Sequence, residues 1–130
     1  MVSSPLLPAL VSFIHRCIPT FQAAEVLLFF AAHPEQSFSP EEVVVAMRPI
    51  VVTVPAVREY LTRFHTSALI SEADGRFRYG PLQSDTEKAV LALSDAYNER
   101  PVTLITEIYR IADAKLQSFS DSFRLRGDKS

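Results

Sequence analysis

The sequence predicts a mainly α-helical fold that carries one small β-hairpin, and three observations lead there. First, Ser39-Pro40-Glu41-Glu42 and Ser84-Asp85-Thr86-Glu87 each place a serine three residues before a glutamate. That is the capping-box signature of a helix start, hydroxyl and carboxylate each satisfying a backbone N–H. Second, Val57, Leu61 and Phe64 recur at the spacing of a buried helical stripe. Third, Arg76-Phe77-Arg78-Tyr79 alternates polar and aromatic residues directly after Asp74-Gly75. Period two is the signature of a half-buried strand, and the glycine tolerates the positive φ of a hairpin turn.

A chain of 130 residues with 48% hydrophobic content can bury one substantial core. Its formal net charge of −2 excludes a globally basic nucleic-acid protein, so any DNA contact must come from a local basic patch. Cys17 is the one cysteine, which excludes an internal disulfide and a thiolate metal cluster. A reducing cytoplasm is therefore the expected compartment. The apolar N-terminus is broken by Pro5 and Pro8 and lacks the basic start of a signal peptide. The longest apolar stretch, Val26 to Ala32, falls far short of the roughly 20 residues of a membrane span, so no membrane partner is expected.

The elements follow in order. Leu6, Leu7, Leu10, Phe13, Ile14 and Cys17 share one helical face, predicting a helix from Pro5 to Cys17 that Ile18-Pro19 ends. Thr20 can cap a second helix, Phe21 to His33, which Pro34 follows. It is apolar nearly all round and so belongs at the centre of the fold. Ser39 and Pro40 open a short third helix to about Met47; Arg48-Pro49 ends it and Ile50-Val51-Val52 connects onward. A fourth helix starts between Thr53 and Pro55, with Thr53 as cap, and runs to about His65. Ala68 to Ser71 is a short strand, Arg76 to Tyr79 its return, and Gly80-Pro81 the end of the hairpin. Ser84 caps a further helix to about Asn98, and Pro101 opens the last one through Ile105, Ile108, Tyr109 and Ile111. From Leu116 to Leu125 that helix either continues or bends away, because Ser118, Ser120 and Ser122 weaken it. The tail from Arg126 is polar and expected to fray.

Helix, helix, helix and hairpin within Thr20 to Tyr79 resemble the winged helix-turn-helix superfamily of bacterial transcription regulators. The resemblance rests on Ser39-Pro40-Glu41-Glu42-Val43-Val44, Thr53-Val54-Pro55-Ala56-Val57-Arg58-Glu59-Tyr60-Leu61, Ala68-Leu69-Ile70 and Asp74-Gly75-Arg76-Phe77-Arg78-Tyr79. That family often has glycine where Ala68 stands. The resemblance implies an N-terminal accessory helix over 1–19, a winged helix-turn-helix domain over 20–81, C-terminal helices available for dimerisation over 82–125, and a polar tail over 126–130. It also implies a recognition helix for the DNA major groove and a wing for the neighbouring backbone.

With Val57, Leu61 and Phe64 facing the core, Ala56, Arg58, Glu59, Thr62 and Arg63 turn outward, with Thr53 at the start of the same helix. Arg58 and Arg63 suit guanine edges or phosphates, and Thr62 a phosphate or base. Arg76 and Arg78 share the wing-strand face opposite Phe77 and Tyr79, where they can reach the backbone. From Arg48 to Tyr79 the five arginines outnumber Glu59, Glu72 and Asp74, while the rest of the chain is acidic. The expected function is a transcription regulator that binds double-stranded DNA as a homodimer. The N-terminal helix and the helices after the wing, with Val102, Ile105, Ile108 and Tyr109, are candidates for the twofold interface. The alternative is a protein–protein interaction module that binds no DNA, which the acidic charge suits. No small-molecule effector is specified by the sequence.

Other chemistry is poorly supported. His15, His33 and His65 share no metal-ligand spacing, and Cys17 on an apolar face is most simply a packed thiol. No nucleophile elbow or glycine-rich phosphate loop is present. Neither an enzyme nor a cofactor is expected.

Overall fold

The computed structural model describes residues 5–127, with side chains as far as Ser118. The first four residues of the accessory segment and the last three of the polar tail lie outside the described residues. The elements run α1 (Pro8–Cys17), α2 (Phe21–Ala32), β1 (Ser37–Phe38), α3 (Pro40–Ala46), α4 (Val54–Thr66), β2 (Ile70–Ala73), β3 (Arg76–Tyr79), α5 (Ser84–Glu99) and α6 (Pro101–Gly127). The architecture is mainly helical with a small antiparallel sheet in the order β1-β3-β2.

The apolar second helix lies at the centre, as expected. Ala23, Ala24, Val26, Leu27 and Phe30 of α2 are buried, and α2 touches α4, α5, α6 and β3. Its start is fixed twice over. The Thr20 hydroxyl accepts from the Ala23 N–H at 3.1 Å and donates to the Tyr60 hydroxyl of α4 at 2.9 Å. Buried side chains from all six helices and β2 join one cluster, with Phe13, Leu27, Val43, Leu61, Leu93 and Leu104 among its members. Cys17 is sealed inside that cluster at the end of α1.

Several expected boundaries move for local physical reasons. The first helix begins at Pro8 rather than Pro5, because Leu7 precedes a proline and is pushed to φ −59°, ψ 140°. The Ser39 capping box forms in full: Glu42 N–H donates to Ser39 Oγ at 3.2 Å, and Ser39 N–H donates to Glu42 Oε1 at 2.8 Å. The second box does not form. Gln83 takes the cap position without a side-chain hydrogen bond, and Ser84 is already helical. Asp85 and Glu87 in the first turn instead complement the positive end of the helix dipole. The serines late in α6 do not bend it away, and the helix continues to Gly127; each serine costs only a few tenths of a kcal/mol in a helix.

The sheet contains a strand the sequence did not predict. β1 pairs with β3 through Ser37↔Arg78 and Phe38↔Phe77. Phe38 lies against Phe29 and Phe30 of α2, with ring centroids 4.8 and 5.5 Å apart. The hairpin turn is the expected one, with Asp74 at φ 54° and Gly75 at φ 78°. Its first strand starts at Ile70, however, and not at Ala68. Ala68 closes α4 with φ 61°, its N–H bonded to the His65 carbonyl and the Leu69 N–H to the Phe64 carbonyl, both at 3.0 Å. These are the two bonds of a Schellman cap, with alanine in the left-handed position that glycine usually fills.

The expected interface residues of the last helix divide. Ile108 is buried with Leu104 and Ile111, Ile105 is half-buried, and Val102 and Tyr109 are exposed. No described helix is long and apolar enough to cross a membrane.

Candidate nucleic-acid interface

α4 is built to hold a rigid outward face. The Thr53 hydroxyl caps it by accepting from the Ala56 N–H at 3.3 Å, and proline occupies its first turn. Val57, Leu61 and Phe64 are fully buried, anchoring the helix against α2, α3 and β2. Arg58, Glu59 and Thr62 are exposed, as expected; Ala56 and Arg63 are half-buried rather than fully outward. Arg63 is drawn inward because its guanidinium reaches the Arg16 carbonyl at the end of α1, at 3.5 Å.

That contact brings in a residue to which the sequence assigned no role. Arg16 lines an open depression of about 540 Å³ together with Arg58, Glu59, Thr62, Arg63, Thr66 and Ser67. Three arginines thus line one concavity whose lining holds a single acidic residue, Glu59. The Thr62 hydroxyl donates to the Arg58 carbonyl at 2.9 Å, so its hydrogen is directed into the helix and its oxygen remains able to accept. Arg58 also meets Glu41 of α3 at 3.0 Å, with the two side chains 64% and 58% exposed. An ion pair that exposed is worth at most about 1 kcal/mol and exchanges readily for another anion.

The hairpin arginines behave differently. Arg76 and Arg78 do share the face opposite Phe77 and Tyr79, but both turn back toward the body. Arg76 meets Glu42 at 2.8 Å and also donates to the Ser37 hydroxyl at 3.1 Å and the Ser37 carbonyl at 2.9 Å. Arg78 donates to the Pro34 carbonyl at 3.1 Å. These contacts tie β3 to β1 and to the turn before it, so the two hairpin arginines do not join the α4 set. The backbone N–H of Ser39 and then the charge of Arg76 hold the Glu42 carboxyl below its ordinary value. On the other face, burial and then the Glu87 charge raise the Tyr79 phenol.

Among the described residues, no group of three or more His, Cys, Asp or Glu side chains is placed to hold a metal ion. The arrangement suits recognition of an anion by a helix face. No protein-family model matches the chain, and no curated protein or solved structure matches it either.

Proposed function

We propose that the chain binds double-stranded DNA through the outward face of α4 and acts as a regulator of transcription. The observation that carries this reading is the meeting of Arg16, Arg58 and Arg63 at one open face. A helix fits the major groove, where guanidinium groups pair with guanine edges or with flanking phosphates. The helix–strand–helix–helix–hairpin order from α2 to β3, with strand order β1-β3-β2, supports a winged helix-turn-helix core. In this reading the wing serves first as a buttress, since its arginines are held by the body.

The test is retention of random duplex DNA on a gel at micromolar protein over a range of salt. Three phosphate-neutralising arginines give a slope of log affinity against log salt near −2.7. Absence of any shift at low salt overturns the reading.

A second reading is a protein-interaction module without DNA binding. It is favoured by Glu41 at Arg58 and Glu42 at Arg76, which neutralise two of the expected DNA-binding cations internally. The same gel decides, because an interaction module gives no salt-dependent shift.

A further inference from the structure

We infer that the cleft between α2 and α5 is a binding site for a small organic cation, an ammonium carried on an apolar body. The two helices close on each other at one end. Phe21 of α2 stacks on Tyr97 of α5 with ring centroids 5.6 Å apart, and the Tyr97 hydroxyl donates to Glu25 Oε2 at 3.2 Å. Farther along, smaller side chains face each other. The stripe on α2 is Leu28, Ala31 and Ala32, and the stripe on α5 is Glu87, Val90, Leu91 and Ser94. Each follows the three-and-four spacing of a single helix face. Two alanines and a serine do not fill the space between the helices, and a cleft of about 350 Å³ remains. That volume lies within the roughly 300–1,000 Å³ of small-molecule sites.

The lining selects the charge of the occupant. Pro34 and Tyr79 complete it, and Glu87 is its only charged residue. Among the described residues no cation pairs with the Glu87 carboxylate. Ala31 and Ala32 belong to the last turn of α2, which has no basic residue, so the negative end of that helix adds to the same field. Tyr79 offers a hydroxyl and a ring face, both of which suit an ammonium. Burial and then the Glu87 charge raise its phenol, so it stays a neutral hydroxyl within reach of the carboxylate.

Other ligand classes fit less well. An anion is repelled by Glu87. A wholly apolar body strips water from that carboxylate and returns nothing. A cation with an apolar body satisfies both parts of the cleft, because Val90 is buried and Leu28 and Ala31 are half-buried beside the charged rim. None of these residues lines the α4 depression, so the inference stands whether or not α4 meets DNA.

The experiment is titration of the full chain near neutral pH with 2-phenylethylammonium, read by calorimetry and by backbone amide NMR shifts. Its uncharged counterpart, 2-phenylethanol, is the control. The expected result is saturable binding with a midpoint near about 1 mM and shifts concentrated at Ala31, Tyr79 and Ser94. The alcohol binds at least about tenfold more weakly. Glu87→Gln keeps the size, removes the charge and lowers affinity about tenfold. Asp95→Asn removes the same charge from an exposed position of α5 outside the cleft and leaves affinity unaltered. Ala31→Leu fills the cleft and abolishes binding, with helix content by circular dichroism unchanged. Shifts that do not saturate up to about 20 mM overturn the inference. So does equal affinity for the alcohol, undiminished binding by Glu87→Gln, or a loss that Asp95→Asn shares.

Discussion

Two pairs of arginines, one on α4 and one on the β-hairpin, begin alike and end in different surroundings. Arg58 and Arg63 stand on a helix whose opposite side is locked into the core, and Arg16 of α1 arrives beside them. Arg76 and Arg78 stand on a strand whose neighbour, β1, offers acceptors within reach: the Ser37 hydroxyl and carbonyl and, just beyond, the Pro34 carbonyl. Arg76 holds the Ser37 hydroxyl and carbonyl together with the Glu42 carboxylate, and Arg78 holds the Pro34 carbonyl at 3.1 Å, so both act as struts. Arg58 has an exposed, exchangeable carboxylate partner and Arg63 only a long 3.5 Å reach to the Arg16 carbonyl, so this pair is the more easily released to a ligand. The number of arginines in a segment therefore says less about binding than the acceptors folded next to them.

The comparison can be broken by substitution. The largest effect is expected from Arg58→Ala combined with Arg63→Ala. DNA affinity falls about 100-fold, and the salt slope becomes shallower by roughly two, measured by gel shift across salt. The melting temperature stays within about 2 °C of the parent, because neither side chain carries the core. If the same loss followed from Arg78→Ala alone, the division between the two pairs would be wrong.

Arg76→Ala is expected to do the reverse. It lowers Tm by about 3–5 °C, by removing the Glu42 pair and both Ser37 bonds, while DNA affinity changes less than about threefold. The effect depends on pH in a definite sense. The folded Glu42 carboxyl titrates below its ordinary value of 4.5, so its contribution is complete above that pH and is lost as pH falls through the folded value. Urea midpoints of parent and variant should thus differ most near neutral pH, and the gap should narrow in acid to the part supplied by the two Ser37 bonds. A gap that widened on acidification would contradict the assignment.

The smallest effect is expected at the junction of the two regions. Ala68→Gly relieves a left-handed alanine and should raise stability by about 0.5 kcal/mol, after the entropy that glycine adds to the unfolded chain. Denaturant titration can detect that gain, and a loss would mean that the alanine methyl packs favourably in the cap.

What the sequence showed was mostly what neighbours in the chain decide. The Ser39 box, the Thr53 cap, the Val57–Leu61–Phe64 stripe and the Asp74-Gly75 turn are contests settled within a few residues, and all appear in the structure. The Ser84 box failed inside that same range, because a helix can start on Gln83 with acidic residues in its first turn and no side-chain cap. β1 escaped because two residues show no period; only the Ser37-Phe38-Ser39 alternation hinted at it. Arg16 was invisible for another reason. Its place beside Arg63 spans 47 positions of sequence and is set by how α1 lies on the core. The inward turn of Arg76 and Arg78 likewise needs β1 in position, so it could not be read before that strand was known.

Cys17, 1% exposed at the end of α1, gives the molecule an internal clock. A thiol is alkylated only where reagent can reach its thiolate, so labelling must wait until α1 lifts from the core. When reclosing outruns the chemistry, the labelling rate equals the free-thiol rate multiplied by the fraction of molecules open at that helix. As the chain has one cysteine, the signal has one source. Every variant discussed above retains it, so each can be timed for opening of the N-terminal helix without any added probe.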